Sequence, residues 1–386
     1  MASPKGPMEP LNPCQQLSRL GQSLWLDYID RQLLQSGELI RLIEQSALKG
    51  LTSNPAIFEK ALASDPAYLK DMRAFAKTGA PAETVFEQLA LADIRAAADA
   101  LQGVYLQTAG RDGFVSLEVS PRLAGDSAGT IAEARRLWQA VERDNLMIKV
   151  PATEAGLVAI EALIAQGINV NATLLFSRHM YRRVTEAWLA GLERWIERGG
   201  ESGQVASVAS FFVSRIDSAV DALLLSRIEE RQEPSLQAAL RSLLGKTAIA
   251  NARLAYQHYL SFTAGPRWQR LAARGAQPQR QLWASTGTKN PAYSDVLYVE
   301  SLIGPDTVNT VPPATLEAFA AHGVAANELQ GGIEAAGRVI EALEALGISL
   351  DAVTDQLLVD GVRLFAQAYD KLLAQMENRM AAIPAA

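Results

Sequence analysis

The residue with the clearest chemical potential is Lys149, in the run Met147-Ile148-Lys149-Val150-Pro151-Ala152-Thr153. A protonated lysine is costly to place among apolar side chains, so it needs a partner or a task there. One such task is nucleophilic. A desolvated lysine gives up its proton and attacks a ketone to form a Schiff base. An ordinary lysine, with a pKa of about 10.4, is neutral in roughly one copy in a few thousand at pH 7. Lowering that pKa by about three units makes about half of the amines neutral, at a cost of roughly 4 kcal/mol.

Other polar residues sit where they can join it. Asp27 closes the apolar run Leu24-Trp25-Leu26, and Glu118 closes Phe114-Val115-Ser116-Leu117. In Asn169-Val170-Asn171-Ala172-Thr173, strand alternation puts three polar side chains on one face. Each has an ordinary reading as well. A lone carboxylate at a strand end is usually a helix cap. A lysine in a strand often lies at an edge or snorkels. Asn54, in Thr52-Ser53-Asn54-Pro55, is an ordinary turn before a helix that starts with proline. Arg215 can pair with Asp217 or Glu229. Lys289, in Ser285-Thr286-Gly287-Thr288-Lys289-Asn290-Pro291, is a solvated loop charge or part of a phosphate cradle. The loop lacks P-loop spacing, which argues against nucleoside triphosphates.

The elements that would position these groups are legible. Strand-like runs are expected at 23–28, 48–52, 113–119, 146–150, 169–175, 206–213, 281–285 and 307–310. Helical patterns are expected at 92–107, 130–143, 154–165 and 177–198. Residues 217–263 read as a helical pair broken near Pro234. Beyond about residue 312 the chain is almost wholly helical, ending in a long run over 350–380. Eight strands alternating with helices predict an α/β fold, a single (β/α)₈ TIM barrel with additional helices and a helical C-terminal extension. An open doubly wound sheet is the runner-up, without a glycine-rich dinucleotide fingerprint to support it. We expect residues 1–22 to be a flexible, proline-marked lead and first helix, and 23–386 to be one barrel domain including the helices from about 312. Barrel chemistry sits at the C-terminal strand ends, where Asp27, Glu118, Lys149 and Thr173 would meet.

Composition narrows the function. The chain has 386 residues and a net charge of −6, which gives no electrostatic case for nucleic acid or an anionic membrane. A single cysteine, Cys14, forbids an intrachain disulfide, and three histidines make a histidine-rich metal site a poor expectation. No apolar run reaches membrane-spanning length. The reading at this level is a cytoplasmic protein with no metal.

Several long motifs resemble one family. Lys149 with its flanks, and Gly167-Ile168-Asn169-Val170-Asn171-Ala172-Thr173-Leu174-Leu175-Phe176-Ser177, resemble the active-site signature of transaldolases. Gly50-Leu51-Thr52-Ser53-Asn54-Pro55-Ala56-Ile57-Phe58 resembles that family's other signature. Residues 284–291 and 304–310 look like segments of its longer bacterial branch. The resemblance implies a (β/α)₈ transferase of the pentose phosphate pathway that moves a dihydroxyacetone unit between sugar phosphates without a cofactor. It also implies roles. Lys149 would form the Schiff base, and Asp27 would take the C4 hydroxyl proton. Glu118 would move protons through a water oriented by Thr173. Asn54 and Asn171 would hold the dihydroxyacetone hydroxyls, with Ser210 near the substrate. Arg215, Ser285 and Lys289 would bind phosphate. Phe212 stands where aldolase relatives can carry a tyrosine, and it has no proton to give. The sequence departs from the shorter branch at Leu26-Asp27-Tyr28 and Ser210-Phe211-Phe212. The alternatives are a fructose 6-phosphate aldolase on the same fold and a non-catalytic sugar-phosphate-binding protein. A homodimer is open, and the helical tail can serve as a cover over the site or as a dimer surface.

Overall fold

The computed structural model describes residues 11–76 and 79–382. Eight strands form one closed parallel barrel in sequence order. They are β1 Gln22–Asp27, β2 Leu48–Thr52, β3 Phe114–Glu118, β4 Leu146–Pro151, β5 Val170–Leu175, β6 Ser207–Phe212, β7 Arg280–Ala284 and β8 Thr307–Val311. Closure comes from β8 pairing back onto β1, with Trp25 opposite Thr310. A parallel barrel wrapped in helices buries both strand faces, and every residue of β4, β5 and β6 is buried, polar ones included. All eight expected strands are present, each within one residue of its expected ends.

The expected helices appear in order, with two differences among them, and shorter helices such as Glu38–Gln45, Tyr68–Ala76 and Pro266–Ala272 lie outside the expected patterns. The first alanine-rich helix starts at Ala82 and runs to Gln107, ten residues earlier than its pattern suggests. The segment expected as a helical pair is three helices, Ser214–Glu230, Pro234–Arg241 and Thr247–Ala264. Pro234 opens the second of these, as a proline at a first helical position should. A further break at Gly245, with φ of +68°, admits the third. Pro4, Pro7 and Pro10 of the expected lead lie outside the described residues, and Pro13 begins the helix Pro13–Arg19.

The C-terminal helix Leu350–Ala381 is capped by the Ser349 side chain. It crosses the C-terminal mouth of the barrel, packing on helix Pro55–Ser64, helix Ala82–Gln107 and helix Ser214–Glu230. Gly361 permits this approach, since a Cβ there would lie 3.0 Å from Leu174 Cδ2. Asp370 pairs with Arg122 at 2.6 Å, and Glu59 accepts from Lys371 at 2.9 Å and Gln375 at 2.8 Å. The tail therefore covers the mouth, one of its two expected positions.

Candidate active site

Parallel register carries the chemistry. Glu118 on β3 sits opposite Lys149 on β4, and Lys149 opposite Asn171 on β5. Glu118 ends β3 and Lys149 lies in the second half of β4, whereas Asn171 is the second residue of β5. Lys149 is 5% exposed. Its Nζ donates to the Ser53 carbonyl at 2.9 Å and lies 3.4 Å from Glu118 Oε2. The second distance is long for a charge-assisted hydrogen bond. Glu118 Oε2 is buried and has no hydrogen-bond partner among the described residues. Burial pushes the Glu118 carboxyl up to about 6, against the lowering effect of Lys149. A carboxyl poised there exchanges its proton readily near neutrality.

Asp27 is the last residue of β1. Burial raises its pKa, opposed first by Lys149, then by a hydrogen bond from Thr52, then by Lys289 and Arg215. The Thr52 hydroxyl donates to Asp27 Oδ1 at 2.6 Å and lies 2.7 Å from the Thr310 hydroxyl. Thr173 Oγ1 is buried and unpartnered among the described residues. The next residue, Leu174, has φ of +60° at the irregularity where β5 meets β6. That left-handed conformation is costly for a leucine, and such strain concentrates at functional sites.

A cavity of about 540 Å³ opens over these groups. Asp27, Asn54, Lys149, Thr173, Ser210, Phe212, Arg215, Ser285 and Lys289 all line it. Its size suits a phosphorylated sugar. Asn54 meets both of its readings. Its Oδ1 caps the helix Pro55–Ser64 by accepting from Ile57 N at 3.0 Å, while the residue borders the cavity. Asn171 lies one step deeper. Its amide donates to Ser116 Oγ at 3.0 Å and accepts from Ser210 Oγ at 2.6 Å, so Ser210 stands between it and the opening. Glu118 lines a separate small cavity of about 50 Å³ beside the main one.

The far rim carries positive charge. Arg215 makes no ion pair among the described residues, and its guanidinium stacks 5.3 Å from the Phe212 ring centre. It does not pair with Asp217, whose oxygens accept from Ala248 N and Tyr298 OH. Ser285, with φ of +56°, places its hydroxyl 3.0 Å from that of Ser214. Lys289 is exposed at the cavity edge.

Sequence reasoning missed Thr52, Ser53, Lys60 and Phe365. Thr52 had a readable signal, the same inward strand register as Asp27. Ser53 acts through a carbonyl, which no residue type announces. Phe365 comes from the C-terminal helix and closes the cavity from above. Among the described residues, no group of three or more His, Cys, Asp or Glu is placed to hold a metal ion. No helix among them is long and apolar enough to cross a membrane.

Comparison with known proteins agrees with the geometry. Residues 24–376 match the family described as Transaldolase/Fructose-6-phosphate aldolase. A protein named Transaldolase 2 from Nostoc sp. is 47% identical over 373 residues, covering 96% of this chain and 98% of that protein. Transaldolase from Thermobifida fusca is 48% identical over 372 residues, covering 96% and 99%. Transaldolase 1 from Streptomyces coelicolor is 48% identical over 368 residues, covering 95% and 94%.

Proposed function

We propose a lysine-imine transfer mechanism for this chain, which belongs to the transaldolase/fructose-6-phosphate aldolase family. The substrates in this reading are ketose phosphates, fructose 6-phosphate or sedoheptulose 7-phosphate, and the acceptors are glyceraldehyde 3-phosphate or erythrose 4-phosphate. Neutral Lys149 attacks the C2 ketone. Loss of water leaves a protonated imine, which serves as the electron sink. Asp27 takes the C4 hydroxyl proton, the C3–C4 bond breaks, and an aldose phosphate departs. The three-carbon enamine stays on Lys149 until a second aldose phosphate enters and the steps reverse.

The remaining residues have stated tasks. Glu118 passes protons through a water as the imine forms and hydrolyses, and the free Thr173 hydroxyl orients that water. Asn54 and the Asn171–Ser210 pair hold the dihydroxyacetone hydroxyls. Arg215, Ser285 and Lys289 hold the phosphate. Phe212 lines the cavity without a proton to donate, which spares the enamine from protonation and favours transfer over release.

The observation that carries this reading is the setting of Lys149. Its amine is buried, anchored by one carbonyl at 2.9 Å, and only loosely held by Glu118 at 3.4 Å. A tight ion pair would favour the charged amine, which cannot attack. The test is a product assay with fructose 6-phosphate and erythrose 4-phosphate. Sedoheptulose 7-phosphate is the expected product, with no free dihydroxyacetone when acceptor is absent. Steady release of free dihydroxyacetone would make the enzyme an aldolase instead.

A further inference from the structure

Behind the cationic rim lie two aspartates that the proposed chemistry does not use. Asp217 and Asp221 are four residues apart on helix Ser214–Glu230, so they share one face of it, and both are buried. Asp217 accepts from Ala248 N at 2.7 Å and from Tyr298 OH at 2.9 Å. Asp221 accepts from Gly245 N at 3.0 Å and from Tyr293 OH at 2.7 Å. Tyr293 follows Lys289 by four residues, in the loop that leaves β7. Its ring seats against Gly245, where a Cβ would lie 2.7 Å from Tyr293 Cζ. The loop is braced internally as well, by Thr288 Oγ1 donating to the Ser294 carbonyl at 2.8 Å and Ala292 N donating to Asn290 Oδ1 at 3.0 Å.

The topology gives these contacts a consequence. Arg215 belongs to the helix after β6, whereas Ser285 and Lys289 belong to the loop after β7. A phosphate gripped from two elements needs them at a fixed spacing, or each binding event must order the loop. The Tyr293–Asp221 contact ties the Lys289 loop to the helix that carries Arg215. Lys289 itself borders two cavities. One is the substrate cavity, and the other is a space of about 240 Å³ lined by Asp217, Asp221, Tyr293 and Tyr298.

We infer that Asp221 and Tyr293 are positioning residues that hold Lys289 beside Ser285 and Arg215 as one anion-binding edge, setting affinity for the phosphate without touching the bonds that break. The inference rests on the phosphate reading of Arg215, Ser285 and Lys289. It is tested with Tyr293→Phe, which keeps the ring, and with Asp221→Asn as a second variant. Three quantities are measured: KM and kcat for fructose 6-phosphate, the inhibition constant of inorganic phosphate, and the rate of borohydride inactivation in dihydroxyacetone, a ketone without phosphate.

Loss of one hydrogen bond to a charged group predicts a rise of about tenfold in KM and in the phosphate inhibition constant. kcat should stay within about twofold, and inactivation in dihydroxyacetone should be unchanged. Unchanged KM and phosphate inhibition would overturn the inference. So would slowing of the dihydroxyacetone reaction by the same factor, since that marks general damage to the barrel. If phosphate fails to inhibit the unaltered enzyme, the phosphate reading itself falls and takes the inference with it.

Discussion

Two buried charge pairs stand at opposite ends of the barrel, and they are built differently. At the N-terminal end, Arg280 meets Asp112 at 2.9 Å, with side chains 5% and 3% exposed. Every oxygen of Asp112 is used: Oδ1 also accepts from Trp25 Nε1 at 3.2 Å, and Oδ2 accepts from Ser23 at 2.8 Å. Arg280 gives a further bond to Ser23 at 2.8 Å. At the C-terminal end, the Lys149 and Glu118 side chains are equally buried, 6% and 5% exposed, but Nζ and Oε2 stand 3.4 Å apart and Oε2 makes no hydrogen bond among the described residues. The first pair recovers its desolvation cost through bonds. The second does not, and an unsatisfied buried charge is tolerated where chemistry uses it.

The largest difference should appear on breaking each pair. Lys149→Met is expected to lower transfer by about 10³-fold or more. Its melting temperature should move by only a few degrees, because Glu118, already pushed up to about 6, can take a proton and become neutral once Lys149 is gone. Asp112→Ala is expected to do the reverse. It strands Arg280 in the barrel floor and costs about 3–5 kcal/mol, while kcat per folded molecule is retained. Paired activity and thermal-melt measurements check both. Loss of stability from Lys149→Met with activity intact would remove the contrast.

The next effect is in pH. Because burial raises the Glu118 pKa to about 6, the group gains its proton as pH falls through that value. If its ionised form activates the water that hydrolyses the imine, transfer declines on the acid side of about 6. Glu118→Gln should lower the rate by about 10²–10³-fold and abolish that acid limb. A variant that keeps the limb would assign it to another group, Asp27 first.

The smallest expected effect is a partition. Phe212→Tyr places a hydroxyl beside the enamine, and fructose 6-phosphate cleavage should rise by a few-fold relative to transfer. The ratio of free dihydroxyacetone to sedoheptulose 7-phosphate measures it, and an unchanged ratio contradicts the role given to Phe212.

The two ends also differ in how far the chain announces them. Lys149, Glu118 and Asp27 break apolar strands, and strand register alone carries them to one mouth. Asp112 lies in a loop before β3 and Arg280 opens β7, so their meeting depends on barrel closure, which no local pattern encodes. The rim behaves similarly. Arg215 and Lys289 were recognisable by family resemblance, but the partners that occupy Asp217 and Asp221 are Tyr298 and Tyr293, tyrosines with no sequence signature. The helix break at Gly245 has no periodicity to mark it, because the flanking pattern stays helical while Gly245 takes a positive φ and donates its N–H to Asp221. Phe365 was invisible for a different reason. Its helix was expected, but which face would lie over the cavity depends on Gly361 meeting Leu174.

The most direct measurement is borohydride reduction in the presence of fructose 6-phosphate, followed by peptide mass mapping. The account predicts a reduced three-carbon adduct on the peptide that contains Lys149, with activity lost in proportion to its formation. An adduct on another lysine, or full activity after reduction, would contradict it.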